Sequence, residues 1–231
     1  MKYLNYFSAF EKALWICSAL VISVTFFIFD GSSALSLVAS LIGVTFLIFN
    51  AKGNPVGQFL TIVFSILYGV ISYSFSYYGE MITYLGMTAP MALLALISWL
   101  RNPFQGKKSQ VKVNRISAKE VVFMAALTAA VTAVFYFILS ALKTANIIPS
   151  TISVTTSFLA VYLTFRRNPY FALAYAANDL VLVVLWAMAS LNDKSYISVM
   201  ICFIVFFVND MYGFVNWKRM EKYQSRCEMD K

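Results

Sequence analysis

Residues 171–191 read FALAYAANDLVLVVLWAMASL, twenty-one positions with a single formal charge. At ~1.5 Å of rise per residue, a helix of that length reaches about 30 Å, the thickness of a bilayer's hydrocarbon core. The one charge, Asp179, falls near the middle, beside Asn178. A carboxyl at that depth is costly unless it faces a protein interior or a watery cavity, so it marks a site. Tyr175, Asp179 and Trp186 are spaced four and seven residues apart and share one helical face, read here as the wall of a substrate pathway. The competing role is structural, with Asn and Asp joining neighbouring helices.

Seven further apolar runs surround this one: residues 13–29, 34–49, 59–78, 81–100, 121–142, 152–165 and 197–217. The 231-residue chain is 61% hydrophobic and 12% charged, against about a quarter charged in soluble domains, which makes it an integral membrane protein of the lipid bilayer. It has no His, which argues against His-ligated metals and His general bases. Cys17, Cys202 and Cys227 form no CxxC pair, and no GxxxxGK[ST] loop is present. No catalytic residue, metal site or cofactor is expected, and an intramembrane enzyme finds no Ser-Lys pair within the spans. A scaffold would need no converging polar faces. The net charge of +8 does not mean nucleic acid here, because in a membrane protein the charges are counted by loop.

Eight spans place both termini on one side. Only Lys143 and Lys194 then lie on the other, and every remaining Lys and Arg of the 18 falls on the terminal side. The positive-inside rule makes that side cytoplasmic. An internal echo adds a plan. Asn54-Pro55 and Asn168-Pro169 each run into a helix, 114 positions apart, and Trp99-Leu100-Arg101 and Trp217-Lys218-Arg219 each close one. Three helices reverse the chain's direction, so one extra span restores it between two parallel units. The expected fold is all-α, a seven-helix 3+1+3 core of parallel three-helix repeats plus one N-terminal helix. Its parts are residues 1–33 (accessory helix), 34–100 (first repeat), 101–148 (cytoplasmic linker and connecting helix), 149–217 (second repeat) and 218–231 (tail).

Polar faces then nominate the site. Thr61, Ser65, Tyr68 and Ser72 form one stripe on span three, with Gln58 one turn earlier. Span six offers Ser153 and Ser157. Span eight offers Asn209, Tyr212 and Asn216 on one face, with Asp210 beside them. With Tyr175, Asn178, Asp179 and Trp186 these suit a small ligand with sugar hydroxyls and a flat ring, by hydrogen bonding and stacking.

The stretch NPVGQFLTIVFSILYGVISYSFSYYGE (residues 54–80), Pro90, Trp99 and VNDMYGFVNW (residues 208–217) resemble the PnuC family of bacterial vitamin transporters. That resemblance implies a fold like a duplicated, full-length version of the SWEET sugar-transporter plan and a homotrimer. It implies uptake of nicotinamide riboside by facilitated diffusion, with trapping by cytoplasmic phosphorylation. Related members are thought to carry thiamine, riboflavin or deoxynucleosides. The chain departs from the family's pattern where a Trp-x-x-x-Asn signature opens span seven. Tyr175 and Asp179 stand there, with small Ala172 and Ala174 before them, and Ser150 replaces an acidic residue near the start of span six.

Overall fold

The computed structural model describes residues 6–31, 34–74, 78–144 and 146–229. Residues 32–33 of the expected accessory segment and Lys231 of the tail lie outside the described residues. Among the described residues, eight helices are long and apolar enough to cross a membrane. Each coincides with one of the eight apolar runs.

Helix α1 (Ala9–Phe29) begins at a capping box. The Ser8 hydroxyl accepts from the Glu11 N–H at 3.2 Å, and the Ser8 N–H donates to Glu11 Oε2 at 2.6 Å. Helices α2 (Ala34–Ala51) and α3 (Pro55–Ser74) follow, with Pro55 at the first helical position, where a missing N–H costs nothing. The fourth span, Gly79–Arg101, is irregular. It comprises α4 (Tyr78–Ile82), a π-helical turn (Thr83–Thr88) and α5 (Ala89–Arg101). Pro90 cannot donate to an α-helical ladder and its ring crowds the carbonyl four residues earlier, and a local widening to π spacing relieves both. Helix α6 (Ala118–Ala141) fully buries only Thr128 and Leu139, with Leu127, Val131 and Phe135 packed on α7. Helices α7 (Ile147–Phe165), α8 (Tyr170–Ser190) and α9 (Tyr196–Met229) complete the set.

Two features add to the expected plan of spans, linker and tail. The polar linker contains an antiparallel hairpin, β1 (Pro103–Phe104) and β2 (Lys107–Val111). Gln105 and Gly106 both take positive φ, 48° and 74°, the conformation of a two-residue hairpin turn. The segment after Trp217 is also helical, because α9 runs on to Met229 and packs on this hairpin. Gln224 Nε2 donates to the Val111 carbonyl at 3.0 Å, and Val113 N–H donates to Gln224 Oε1 at 2.8 Å.

Six helices form a closed ring in which α2 packs on α3, α3 on α5, α5 on α7, α7 on α8, α8 on α9 and α9 on α2. Helix α6 lies outside against α7, and α1 lies outside against α2 and α9. Close approach uses small residues, as expected where lipid supplies no hydrophobic drive. A Cβ on Gly213 of α9 would meet Ala172 of α8 and Ala51 of α2, each at 3.7 Å.

The two Asn-Pro segments are built alike. Gly53 and Arg167 end α2 and α7 with φ of 65° and 55°. Asn54 Oδ1 accepts from Val56 N–H at 3.0 Å, and Asn168 Oδ1 from Tyr170 N–H at 3.1 Å. The two closing tryptophans reach across the ring in the same way. Trp99 Nε1 donates to the Thr164 carbonyl of α7 at 2.9 Å, and Trp217 Nε1 to the Asn50 carbonyl of α2 at 2.8 Å.

Candidate functional site

One end of the ring is sealed. Trp99 and Trp217 are fully buried with ring centroids 5.4 Å apart, and Phe171 meets Trp217 edge-on at 4.9 Å. Val111 of the hairpin and Met220 of α9 complete this plug. The linker also ties the two Asn-Pro segments together, since Val111 N–H donates to the Gly53 carbonyl and Asn114 N–H to the Arg167 carbonyl.

Above the plug, at the centre of the ring, lies a cavity of about 40 Å³ lined by α2, α3, α7, α8, α9 and the π-helical turn that precedes α5. Asn50 comes from α2, Thr61 and Phe64 from α3, Tyr84 and Thr88 from the π-helical turn, and Ser157 from α7. Helix α8 supplies Phe171, Tyr175, Asn178 and Asp179, and α9 supplies Phe203, Phe206 and Asp210. Two larger cavities, 310 and 290 Å³, lie on the side of Asp193 and Tyr196, which line both. The first shares Tyr84 and Ser157 with the centre, and the second shares Phe64, Phe203 and Phe206. The centre is therefore closed toward the hairpin and bordered by open volume on the opposite side.

Asp179 and Asp210 are 4% and 6% exposed and face the same small cavity from adjacent helices. Asp179 Oδ2 is buried without a hydrogen-bond partner among the described residues. No Lys or Arg lines any of the three cavities. A third carboxyl, Glu80, lines the 310 Å³ cavity with its Oε2 buried, and Tyr68 lines the 290 Å³ cavity. Tyr68 and Tyr84 lie 4.5 Å apart and Phe64 stacks on Tyr68 at 5.5 Å, so the wall between cavities is aromatic.

The nominated residues fall into groups. Thr61, Ser157, Tyr175, Asn178 and Asp179 line the central cavity. Tyr68, Ser72 and Trp186 line the 290 Å³ cavity, and Ser153 joins Ser157 in the 310 Å³ cavity. Asn178 is already engaged by α7, accepting from Thr156 at 2.8 Å and Ser153 at 3.1 Å. The other five line none of these cavities. Ser65 is fully buried and donates to the Thr61 carbonyl of its own helix at 2.8 Å. Gln58 donates to Asn50 Oδ1 at 2.8 Å and so acts on the cavity through Asn50.

Asn209, Tyr212 and Asn216 correct the expectation for α9. Asn209 donates to Ser18 of α1 at 2.9 Å, Tyr212 to Glu11 of α1 at 2.8 Å, and Asn216 to the Ala51 carbonyl at 2.7 Å. Their stripe faces the helices that flank α9, where α1 supplies polar partners. The inward stripe is Phe203, Phe206, Asp210, Gly213 and Trp217, spaced by three or four throughout. That spacing, with a Trp at its end, was the available signal. Asn50, Phe64, Glu80 and Tyr84 were also not anticipated. Asn50 ends its helix and Glu80 borders a turn, where hydropathy does not separate a lining residue from a solvated one.

Helix α1 is tied to the ring through one buried carboxylate. Glu11, 2% exposed, accepts from Lys52 Nζ at 3.0 Å on both oxygens as well as from Tyr212 and Ser8. It thereby joins α1 to the end of α2 and to α9.

Comparison with known proteins agrees with this arrangement. The sequence model of a family described as nicotinamide mononucleotide transporter matches residues 33–219. The chain is 25% identical over 222 residues to the nicotinamide riboside transporter PnuC of Neisseria mucosa, covering 93% of this chain and 83% of that protein. A crystal structure of the vitamin B3 transporter PnuC shares the fold, with a TM-score of 0.81 at 22% identity over 94% of each chain. The family match spans residues 33–219 and makes the chain a transporter. The chain is a member of the nicotinamide mononucleotide transporter family.

Proposed function

We propose that this protein takes up nicotinamide riboside across the bacterial inner membrane by facilitated diffusion, with cytoplasmic phosphorylation trapping the cargo. The observation that carries the reading is the meeting of Asp179 and Asp210 with Tyr84, Tyr175, Phe203 and Phe206 around one cavity that lacks any basic side chain. A flat pyridinium cation is stabilised there by carboxyl charge and by ring faces, and its ribose hydroxyls suit Asn50, Thr61, Thr88 and Ser157. At about 40 Å³ the centre is too small for a nucleoside, so cargo waits in the larger cavities and displaces the aromatic wall as it enters.

The paired Asn-Pro segments and reciprocal tryptophans support residues 34–100 and 149–217 as parallel repeats joined by α6, with 1–33 accessory and 218–231 a tail. In this reading both termini and the hairpin are cytoplasmic, and the protein assembles as a homotrimer. Tyr175 in place of a tryptophan favours one second reading, thiamine, whose thiazolium is also a flat cation. Purified protein in liposomes should equilibrate labelled nicotinamide riboside without ATP or an imposed ion gradient. Preferential exchange of thiamine would reassign the cargo, and strict dependence on a sodium or proton gradient would refute facilitated diffusion.

A further inference from the structure

We propose that Asp179 and Asp210 act as one unit, a carboxyl pair holding a single shared proton, and that both residues together set the preference for a singly charged cationic cargo. The inference rests on the cargo reading above and deepens it.

The pair stands where two ionised carboxyls are strongly opposed. Both side chains are buried on the same cavity of about 40 Å³, and two adjacent carboxylates in a poorly solvated site retain a proton between them. No residue lining the cavity brings a compensating positive charge to the pair. Helix α2 brings Asn50 and α3 brings Thr61, neither ionisable in this range. The π-helical turn brings Tyr84, α7 brings Ser157, α8 adds Tyr175 and α9 adds Cys202, all neutral in their ordinary form. Glu80 lies nearer the 310 Å³ cavity and is itself acidic. The remaining walls are Phe46, Leu47, Phe64, Phe203 and Phe206. With no cation on any side, the proton is what allows the two carboxyls to remain adjacent.

A pair with one proton carries one negative charge, spread over both residues. A pyridinium or thiazolium brings one positive charge, so the loaded site is neutral and the proton stays where it was. The buried Asp179 Oδ2, unpartnered among the described residues, is an acceptor available to that cargo.

This arrangement makes an unusual prediction about variants. In Asp179→Asn the amide takes the place of the protonated carboxyl and donates to Asp210, which then holds the whole charge. Asp210→Asn is its mirror image. Each single variant therefore keeps the charge, and only the double variant loses it. Binding of nicotinamide riboside, thiamine and neutral thymidine to the purified protein should be measured by calorimetry. Each single variant should bind the cation within about threefold of the unsubstituted protein. The double variant should lose at least about tenfold while thymidine affinity is unchanged, the scale of one charge-assisted contact.

Infrared spectra of the ligand-free protein, taken in a Glu80→Gln background to silence the third carboxyl, test the proton without any ligand. A protonated-carboxyl stretch should be present at neutral pH and absent from each single variant. A missing stretch overturns the proposal. So does a single variant that loses as much cation affinity as the double, which would make one Asp the sole recognition group. If neither cation binds and thymidine does, the cargo reading fails and the infrared result alone decides the shared proton. If the double variant does not fold, the two single variants still decide it through both measurements.

Discussion

Gly43 lies on α2 opposite Phe206, and an added methyl there should push a ring into the transport pathway. A Cβ on Gly43 would stand 2.3 Å from Phe206 Cζ and 3.1 Å from Cε1. Carbon atoms settle at about 3.5 Å or more, so in Gly43→Ala the ring tip must withdraw by roughly 1.2 Å. Phe206 is 4% exposed and is flanked by Phe203, Phe64 and Phe46 at 5.7, 6.1 and 6.2 Å. The space it can enter is the central cavity and the 290 Å³ cavity, both of which it lines. Overpacking costs about 1–3 kcal/mol, and replacing a mid-helix Gly by Ala returns roughly 0.5–1 kcal/mol. The net is about 0–2.5 kcal/mol, so the variant should fold, with a cavity too crowded for cargo.

Transport into liposomes should fall by about tenfold, the equivalent of ~1.4 kcal/mol, with only a small drop in melting temperature. Phe206→Leu shortens the offending side chain. The double variant Gly43→Ala/Phe206→Leu should recover most of the rate lost by Gly43→Ala, giving a coupling of about 1 kcal/mol between the sites. If Gly43→Ala transports like the unsubstituted protein, or loses as much in the Phe206→Leu background, the reasoning is refuted and the central cavity is not the narrow point of the pathway.

Three further outcomes are expected. Glu11→Ala leaves Lys52 and Tyr212 without their partner and should destabilise by up to about 3–5 kcal/mol, less what solvent recovers at the 21%-exposed Lys52, with Glu11→Ala/Lys52→Met melting higher than Glu11→Ala alone. Trp99→Phe and Trp217→Phe each remove one hydrogen bond from a carbonyl that keeps a backbone donor (Arg167 N–H on Thr164, Gly53 N–H on Asn50), and matched losses of roughly 0.5–1.5 kcal/mol in thermal unfolding would support equivalent halves, whereas a large inequality would count against them. An impermeant amine reagent applied to intact cells should label Lys194 and spare Lys107, and strong external labelling of Lys107 would overturn the cytoplasmic assignment of the hairpin.

What could be read directly from the chain was whatever depends on neighbours in sequence. Length and hydropathy define a span within one segment, so all eight were legible, as was the exceptional status of Asp179 as the only charge in its run. The Asn-Pro echo was legible for the same reason, since a positive-φ helix end followed by an Asn-capped start is a local motif. The hairpin was hidden because Gln105-Gly106 is a weaker turn signal than Asn-Gly, and its strands are held by α9 as well as by each other. Choosing among faces was a tertiary matter. Asn209, Tyr212 and Asn216 satisfy helical spacing as well as Phe206, Asp210 and Trp217 do, and periodicity assigns a stripe without saying what stands opposite it. Packing decided the outcome. Helix α1 and the end of α2 supplied polar partners for the first stripe, and closure of the six-helix ring turned the second inward. The approach of α8 to α9 then brought Asp210, 31 positions away in the chain, against Asp179, which is why a carboxyl pair at the centre of the ring emerged only from the folded structure.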